Sequence, residues 1–268
     1  MGLRLQPDCP ARGGRGVVAR FRGAALASAR CPPDGPQFDH GGAQCPQPAA
    51  AMSIQRGRLL VLEGIDGCGK TTQMAHLAAW LPVSGLMPST ARLIQTREPG
   101  GTALGQALRE LLLHPPEAAA PEAVAELLLY AADRAQHVAQ VIRPALERGD
   151  WVLSDRFTGS TMAYQGFGRQ LDQALIRQLA LIATGGLTPD LTVWLSLPVA
   201  VSVERRGGRR ADRIEASGLT FLQRVADGFA AQAAEQGWLE VRADRPLAEV
   251  REALEALLSQ QARRWVRP

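Results

Sequence analysis

The chain has 268 residues and a formal net charge of +4, and most of that excess comes from residues 1–51, where six arginines stand against three aspartates. The charge therefore implies no basic face for nucleic acid on the remaining residues. No run of about 18 apolar residues exists, which excludes a spanning helix, and the four cysteines (Cys9, Cys31, Cys45 and Cys68) fit neither a zinc pattern nor a disulfide framework.

Residues 1–51 hold 7 prolines and 8 glycines with no apolar period. That composition predicts a disordered or non-native N-terminal extension. A transit peptide is the alternative, suggested by the early arginines, but serine is almost absent and Pro and Gly would break an amphipathic helix. Met52-Ser53-Ile54 reads as a natural beginning for a single domain over 52–268. With one thiol in that domain, a reducing, cytoplasmic setting is expected.

After Met52 the run 58–63 reads as a buried parallel strand. It feeds Gly64-Ile65-Asp66-Gly67-Cys68-Gly69-Lys70-Thr71, which has the spacing G-x-x-x-x-G-K-T of a phosphate-binding loop. Lys70 is the only lysine among 30 basic residues. Arginine is a wide fork and lysine a compact ammonium, so the one position that keeps lysine is one where backbone wraps closely around phosphate. Glycines turn successive N–H groups inward, and the helix predicted over 70–81 adds its positive end. Residues 64–72, through Thr72, are the candidate ATP contacts, with Lys70 on the β- and γ-phosphates and Thr71 on Mg²⁺.

Further strands are predicted at 92–96, 151–154, 191–197 and 238–242. Helical patterns fall at 103–113, 122–147, 172–184, 199–206, 218–236 and 246–262. This alternation predicts an α/β fold, a five-stranded parallel sheet flanked by helices on both faces. Ligands then bind at the carboxyl ends of the strands, where four further motifs fall. Thr96-Arg97-Glu98-Pro99-Gly100-Gly101-Thr102 holds Arg97 at a strand end, suited to a second phosphate or else solvated on a turn. Tyr130 and Arg134 share a helix face, either to stack on and read a flat base or to pack as core and snorkelling residues. Asp155-Arg156-Phe157 ends a strand with a carboxylate for the Mg²⁺ shell and an arginine for phosphate, and Ser160, Thr161, Tyr164 and Gln165 follow as a polar cluster. Residues 204–215 pack five arginines around a Gly-Gly pair, which reads as a solvated loop or as a mobile lid over transferring phosphate.

Together these motifs resemble the bacterial thymidylate kinases. The specific matches are T-R-E-P-G-G-T at 96–102, Y-A-x-D-R at 130–134, D-R-F…S-T-x-A-Y-Q-G at 155–166 and D-R-I-E at 212–215. The resemblance implies a nucleoside monophosphate kinase fold and transfer of phosphate from ATP to dTMP, with Mg²⁺, in a homodimer built through helices such as 103–113 and 122–147. It places Asp66 near the 3′-hydroxyl of dTMP and puts Arg97 and Arg156 on its phosphate. Tyr130 stacks on thymine and Arg134 bonds its carbonyl edge. Ser160, Thr161, Tyr164 and Gln165 surround base and sugar, with Tyr164 disfavouring a 2′-hydroxyl. No basic residue stands within the phosphate loop, so the chain resembles members whose catalytic arginine lies in the lid. Arg209 and Arg213 are the candidates, with Arg209 favoured and Arg213 read rather as an anchor paired to an acid. The alternatives are another nucleoside monophosphate kinase, separated by a substrate panel, and a phosphate-loop ATPase switch, which would hydrolyse ATP without an acceptor.

Overall fold

A computed structural model describes residues 56–116, 119–207 and 212–265, all within the unit Met52–Pro268. Its centre is one parallel sheet of five strands: β1 (Leu59–Glu63), β2 (Leu93–Arg97), β3 (Trp151–Asp155), β4 (Leu191–Ser196) and β5 (Leu239–Arg242). They lie in the order β2-β3-β1-β4-β5. Strand β1 is central and all five of its residues are buried: the apolar run 59–62, as a strand covered on both faces demands, and Glu63 at its end. Leu60 and Leu62 enter one core with Leu77, Leu153, Leu195 and Phe229. Leu59 and Val61 point oppositely into a second core with Ile142, Val152 and Phe157. Each fully buried side chain of this kind stabilises the fold by about 1.5–3 kcal/mol.

Register brings the chemistry to one level. Asp155 stands opposite Leu62 on one side and Arg97 on the other, so Glu63, Arg97 and Asp155 end three adjacent strands together. Helix α1 (Lys70–Trp80) follows the phosphate loop and buries Met74 and Leu77. Helix α2 (Ala103–Leu113) starts at Thr102, whose Oγ1 accepts the Gly105 N–H at 2.9 Å. That bond supplies one of the acceptors a helix start lacks.

The helical stretch expected at 122–147 is not uniform. Helix α3 (Ala123–His137) runs into a π-helical turn, Val138–Ile142, before α4 (Arg143–Glu147). Pro144 sits in the first turn of α4, and without an N–H it cannot continue the ladder of the preceding helix. A second difference is larger. The segment read only as a polar cluster forms α5 (Thr158–Thr161) and a π-helical continuation, Met162–Gly168. The remaining helices, α6 (Gln173–Thr184), α7 (Val199–Arg206), α8 (Leu219–Gln236) and α9 (Leu247–Trp265), lie close to their predicted bounds. No helix among the described residues is long and apolar enough to cross a membrane.

Helix α8 braces the π-helical segment at close range. A Cβ on Gly168 would meet the Phe221 ring at 2.6 Å, and one on Gly228 would meet Phe167 at 2.7 Å. Tyr164 packs edge-on against Phe229, ring centroids 6.0 Å apart. The glycines lower helix propensity yet are what permits this approach. Gly228→Ala is therefore expected to destabilise the protein by about 1–3 kcal/mol, read as a lower urea midpoint at unchanged m-value.

Candidate active site

The phosphate loop is shaped by Gly64, Gly67 and Gly69, at φ of 144°, 82° and 90°. A side chain at Gly64 would also strike the Leu195 carbonyl at 2.7 Å. Lys70 is buried, and its Nζ donates to the carbonyls of Gly64 (3.0 Å) and Ile65 (3.1 Å), with the Asp66 carboxylate 3.9 Å away. Ile65 and Cys68 are buried beneath the loop, while Thr71 and Thr72 are exposed at its mouth. Burial pushes the Cys68 thiol up, against the pull of Lys70 and Arg156, so this cysteine is held as the unreactive thiol.

Asp66 and Arg156 join the loop to the turn after β3. Arg156 adopts a left-handed backbone, φ 75°. Its Nη2 donates to Asp66 Oδ1 at 2.6 Å, and its Nη1 donates to the Gly64 carbonyl (3.1 Å) and to Ser160 Oγ (2.9 Å). The Tyr164 hydroxyl donates to Asp66 Oδ2 at 2.8 Å, and the guanidinium lies 5.1 Å from the Tyr164 ring centroid. Burial pushes the Asp66 carboxyl up, but Arg156, Lys70 and the Tyr164 hydroxyl outweigh it and hold the group well below 3.8.

Beside this junction is a cavity lined by Tyr130, Arg134, Thr161, Tyr164, Gln165 and Pro99. Arg134 is buried, and Nε donates to Glu98 Oε2 at 2.8 Å while Nη2 donates to the Phe157 carbonyl (3.0 Å) and Thr161 Oγ1 (2.9 Å). Nη1 makes no hydrogen bond among the described residues. Glu98 also receives His137 Nδ1 at 2.8 Å, and His137 Nε2 meets Thr96 Oγ1 at 2.7 Å. The carboxylate acceptor places the ring proton on Nδ1. Gln165 Nε2 donates to Glu126 Oε1 at 2.7 Å. Burial, then Glu126, pushes the Tyr130 hydroxyl well above its ordinary range.

A second cavity, about 440 Å³, is lined by Lys70, Thr71, Arg97, Asp155, Arg205 and Arg206. Asp155 Oδ1 is buried there without a hydrogen-bond partner. An orphaned carboxylate oxygen in a cavity that Thr71 also lines is the donor chemistry a hard divalent cation prefers, so the residues fit a Mg²⁺ site. The two cavities share Asp66, Glu98, Arg109, Arg156 and Asp212.

Most of the sequence-predicted residues line these two cavities; Gly64, Ile65 and Cys68 line neither, and two arginines stand apart. Arg213 does not reach the phosphate loop. It donates to the Leu112 carbonyl at 2.9 Å and pairs with Glu126, which gives it the anchoring place and not the catalytic one. Arg209 lies outside the described residues, and Arg205 and Arg206 are the described lid arginines at the cavity. Arg109 went unread in the sequence. It donates to the Pro99 carbonyl at 3.0 Å, and its pKa is lowered by burial and then by Arg97 and Arg156. Its signal is spacing: Gly105, Arg109 and Leu112 fall at i, i+4 and i+7, one inward face of α2.

Asp66 contributes stability that is fully present well above its unfolded value of 3.8 and is lost as pH falls through that value toward its depressed folded one. Asp66→Asn should therefore be less stable than the parent at pH 7, with the gap narrowing below about pH 4, as read by urea unfolding across pH. A gap independent of pH would contradict the pairing.

The family model for thymidylate kinase matches residues 62–254. A thymidylate kinase of Synechococcus sp. (strain CC9311) is 67% identical over 211 residues, covering 79% of this chain and all of that protein. A thymidylate kinase of Prochlorococcus marinus (strain MIT 9303) is 68% identical over 202 residues, covering 75% of this chain and 94% of that protein. Among solved structures, thymidylate kinase from Ehrlichia chaffeensis aligns with TM-score 0.59 and 30% identity over 75% of this chain and 99% of its own. With two cavities meeting at a phosphate loop and these likenesses along most of its length, the chain belongs to the thymidylate kinase family.

Proposed function

We infer that the protein transfers the terminal phosphoryl group of ATP to dTMP, giving ADP and dTDP. The observation that carries this reading is the pair of cavities sharing Asp66, Arg109 and Arg156, since direct transfer between two nucleotides requires their phosphates to meet. Lys70 leaves the loop carbonyls and takes the β- and γ-phosphates. Arg97, Arg109 and Arg156 surround the acceptor phosphate, whose two charges offset the mutual repulsion of three guanidinium groups. A dTMP phosphate oxygen, already anionic, attacks the γ-phosphorus as its bond to the bridging oxygen breaks, and ADP leaves with that oxygen. No protein group needs to take a proton from the nucleophile, so catalysis is positioning and charge stabilisation. Thr71 and Asp155 would hold Mg²⁺, which when bound neutralises charge on the donor phosphates.

On the acceptor side Tyr130 stacks on the base and Arg134 Nη1 is left for its carbonyl edge. Thr161 and Gln165 lie alongside base and sugar. Asp66 stays ionised, as an acceptor for the 3′-hydroxyl must, and the Tyr164 ring occupies the space a 2′-hydroxyl would need. Arg205, Arg206 and Arg209 supply the lid charge, worth about 10³–10⁵ in rate for a well-placed arginine. Exposed Leu104 and Leu111 on α2 and Val124 and Leu128 on α3 support a homodimer through these helices. The one thiol among the described residues, Cys68, supports a cytoplasmic setting.

A panel of dTMP, dUMP, UMP, CMP and AMP with ATP tests the assignment. ADP should form fastest with dTMP and hardly at all without an acceptor, whereas acceptor-independent hydrolysis would favour an ATPase switch. Lys70→Ala should lose at least about 10³-fold in turnover with an unchanged melting temperature. Arg134→Ala should raise KM for dTMP tenfold or more, about 1.4 kcal/mol or more of binding, while KM for ATP stays put. Equal changes in both constants would remove Arg134 from the base site.

A further inference from the structure

Glu63, the last residue of β1, is 1% exposed and lines neither cavity of the site. A carboxylate is kept out of water only against strong compensation, and Glu63 has it from one short stretch of chain. The Phe157 N–H (3.0 Å) and the Ser160 N–H (3.1 Å) donate to Oε1, and the Ser160 hydroxyl donates to Oε2 at 2.6 Å. All three partners are donors, so the arrangement suits the ionised form. Burial raises its pKa above the ordinary carboxylate range, and these bonds together with the Arg156 charge oppose that without cancelling it.

These donors bracket Arg156, a non-glycine residue in a left-handed conformation that such residues seldom adopt without support. The Phe157 N–H follows it directly. Ser160 Oγ faces both ways, giving its proton to Glu63 and accepting Arg156 Nη1 at 2.9 Å. Gly159 belongs to the same arrangement, because a Cβ there would stand 2.9 Å from Glu63 Oε1.

We propose that Glu63 is a positioning residue for the acceptor-phosphate arginine: through the Phe157 N–H and the Ser160 hydroxyl, its carboxylate fixes the turn at Arg156 and aims the guanidinium into the shared part of the two cavities. The inference rests on reading Arg156 as a holder of the dTMP phosphate. Glu63 touches neither nucleotide, so its effect should appear in acceptor binding and should depend on Ser160.

The test is steady-state kinetics of the full chain against both substrates for Glu63→Gln, Ser160→Ala, the double variant and Arg156→Ala, with melting temperatures alongside. Gln keeps the shape and an acceptor at Oε1 but removes the charge and the acceptor for the serine proton. Each single variant should raise KM for dTMP about five- to tenfold and leave KM for ATP within about twofold. The double variant should be no worse than the poorer single, since both cut one chain of bonds. Effects that multiply, an unchanged KM for dTMP, or equal rises in both KM values would overturn the proposal. If Glu63→Gln fails to fold, Glu63→Asp, which keeps the charge but draws it back from the Phe157 N–H and Ser160, decides the matter by the same split between substrates. An Arg156→Ala variant with unchanged KM for dTMP would overturn the reading of Arg156 itself, whereas a raised KM there with normal Glu63 and Ser160 variants would overturn only the positioning role.

Discussion

The ion pair between Asp66 and Arg156 is the contact on which the rest of the site depends. At 2.6 Å it ties the phosphate loop after β1 to the turn after β3, two segments about 90 residues apart in sequence. Both cavities use both residues, so the pair is at once a wall between two ligands and a part of each ligand's surroundings. Its side chains are 14% and 29% exposed, enough desolvation for charge to matter and enough opening for a phosphate to compete. Removing either partner leaves an uncompensated, mostly buried charge, a change that typically costs about 3–5 kcal/mol where burial is deep.

Around that pair the protein concentrates positive charge. Arg97, Arg109 and Arg156 converge with Lys70 and the lid arginines, and the pKa of Arg109 is depressed by burial first and then by this crowding. The fold offsets this with carboxylates, some lining the cavities themselves, as Asp66, Asp155 and Asp212 do, and others holding the cations from behind. Glu98 holds Arg134, Glu63 sits behind Arg156, and Glu126 gathers Arg169 and Arg213 away from the cavities. The cations are fixed from the rear, and their open faces stay toward the ligands. Such fixed dipoles and charges do not need to reorganise when charge develops on a transferring group.

Much of this was legible from the chain because strand chemistry is local. The run at 59–62 is apolar since both faces of the strand are buried, and the motifs sit at strand ends because loops there are free to vary. What escaped reading depended on distant partners. Gly159, Gly166 and Gly168 make 158–168 look unlike a helix, and only their neighbours show why glycine is needed there: Trp238 and Glu63 at Gly159, Met162 and Ile176 at Gly166, and Phe221 of α8 at Gly168. The π-helical turn at Val138–Ile142 disturbs no apolar period, so a sequence pattern passes over it. Arg213 could be read as an anchor to an acid, but which acid could not, since its partner, Glu126, is 87 residues away. Glu63 and Glu98 read as ends of motifs, and their roles appear only once the residues they face are known.

The posture of Lys70 has one further consequence. Its ammonium is already coordinated by two carbonyl oxygens of its own loop, so the protein carries an internal stand-in for phosphate. An arriving anion must exchange with these contacts, and the net gain is only the difference between the old bonds and the new. A small singly charged ion offers little on that exchange. A polyphosphate, which meets the lysine, several loop N–H groups and the helix end at once, offers much. The loop can therefore stay closed upon itself among the cell's abundant simple anions and yield to a chain of phosphates, a threshold set by its own backbone.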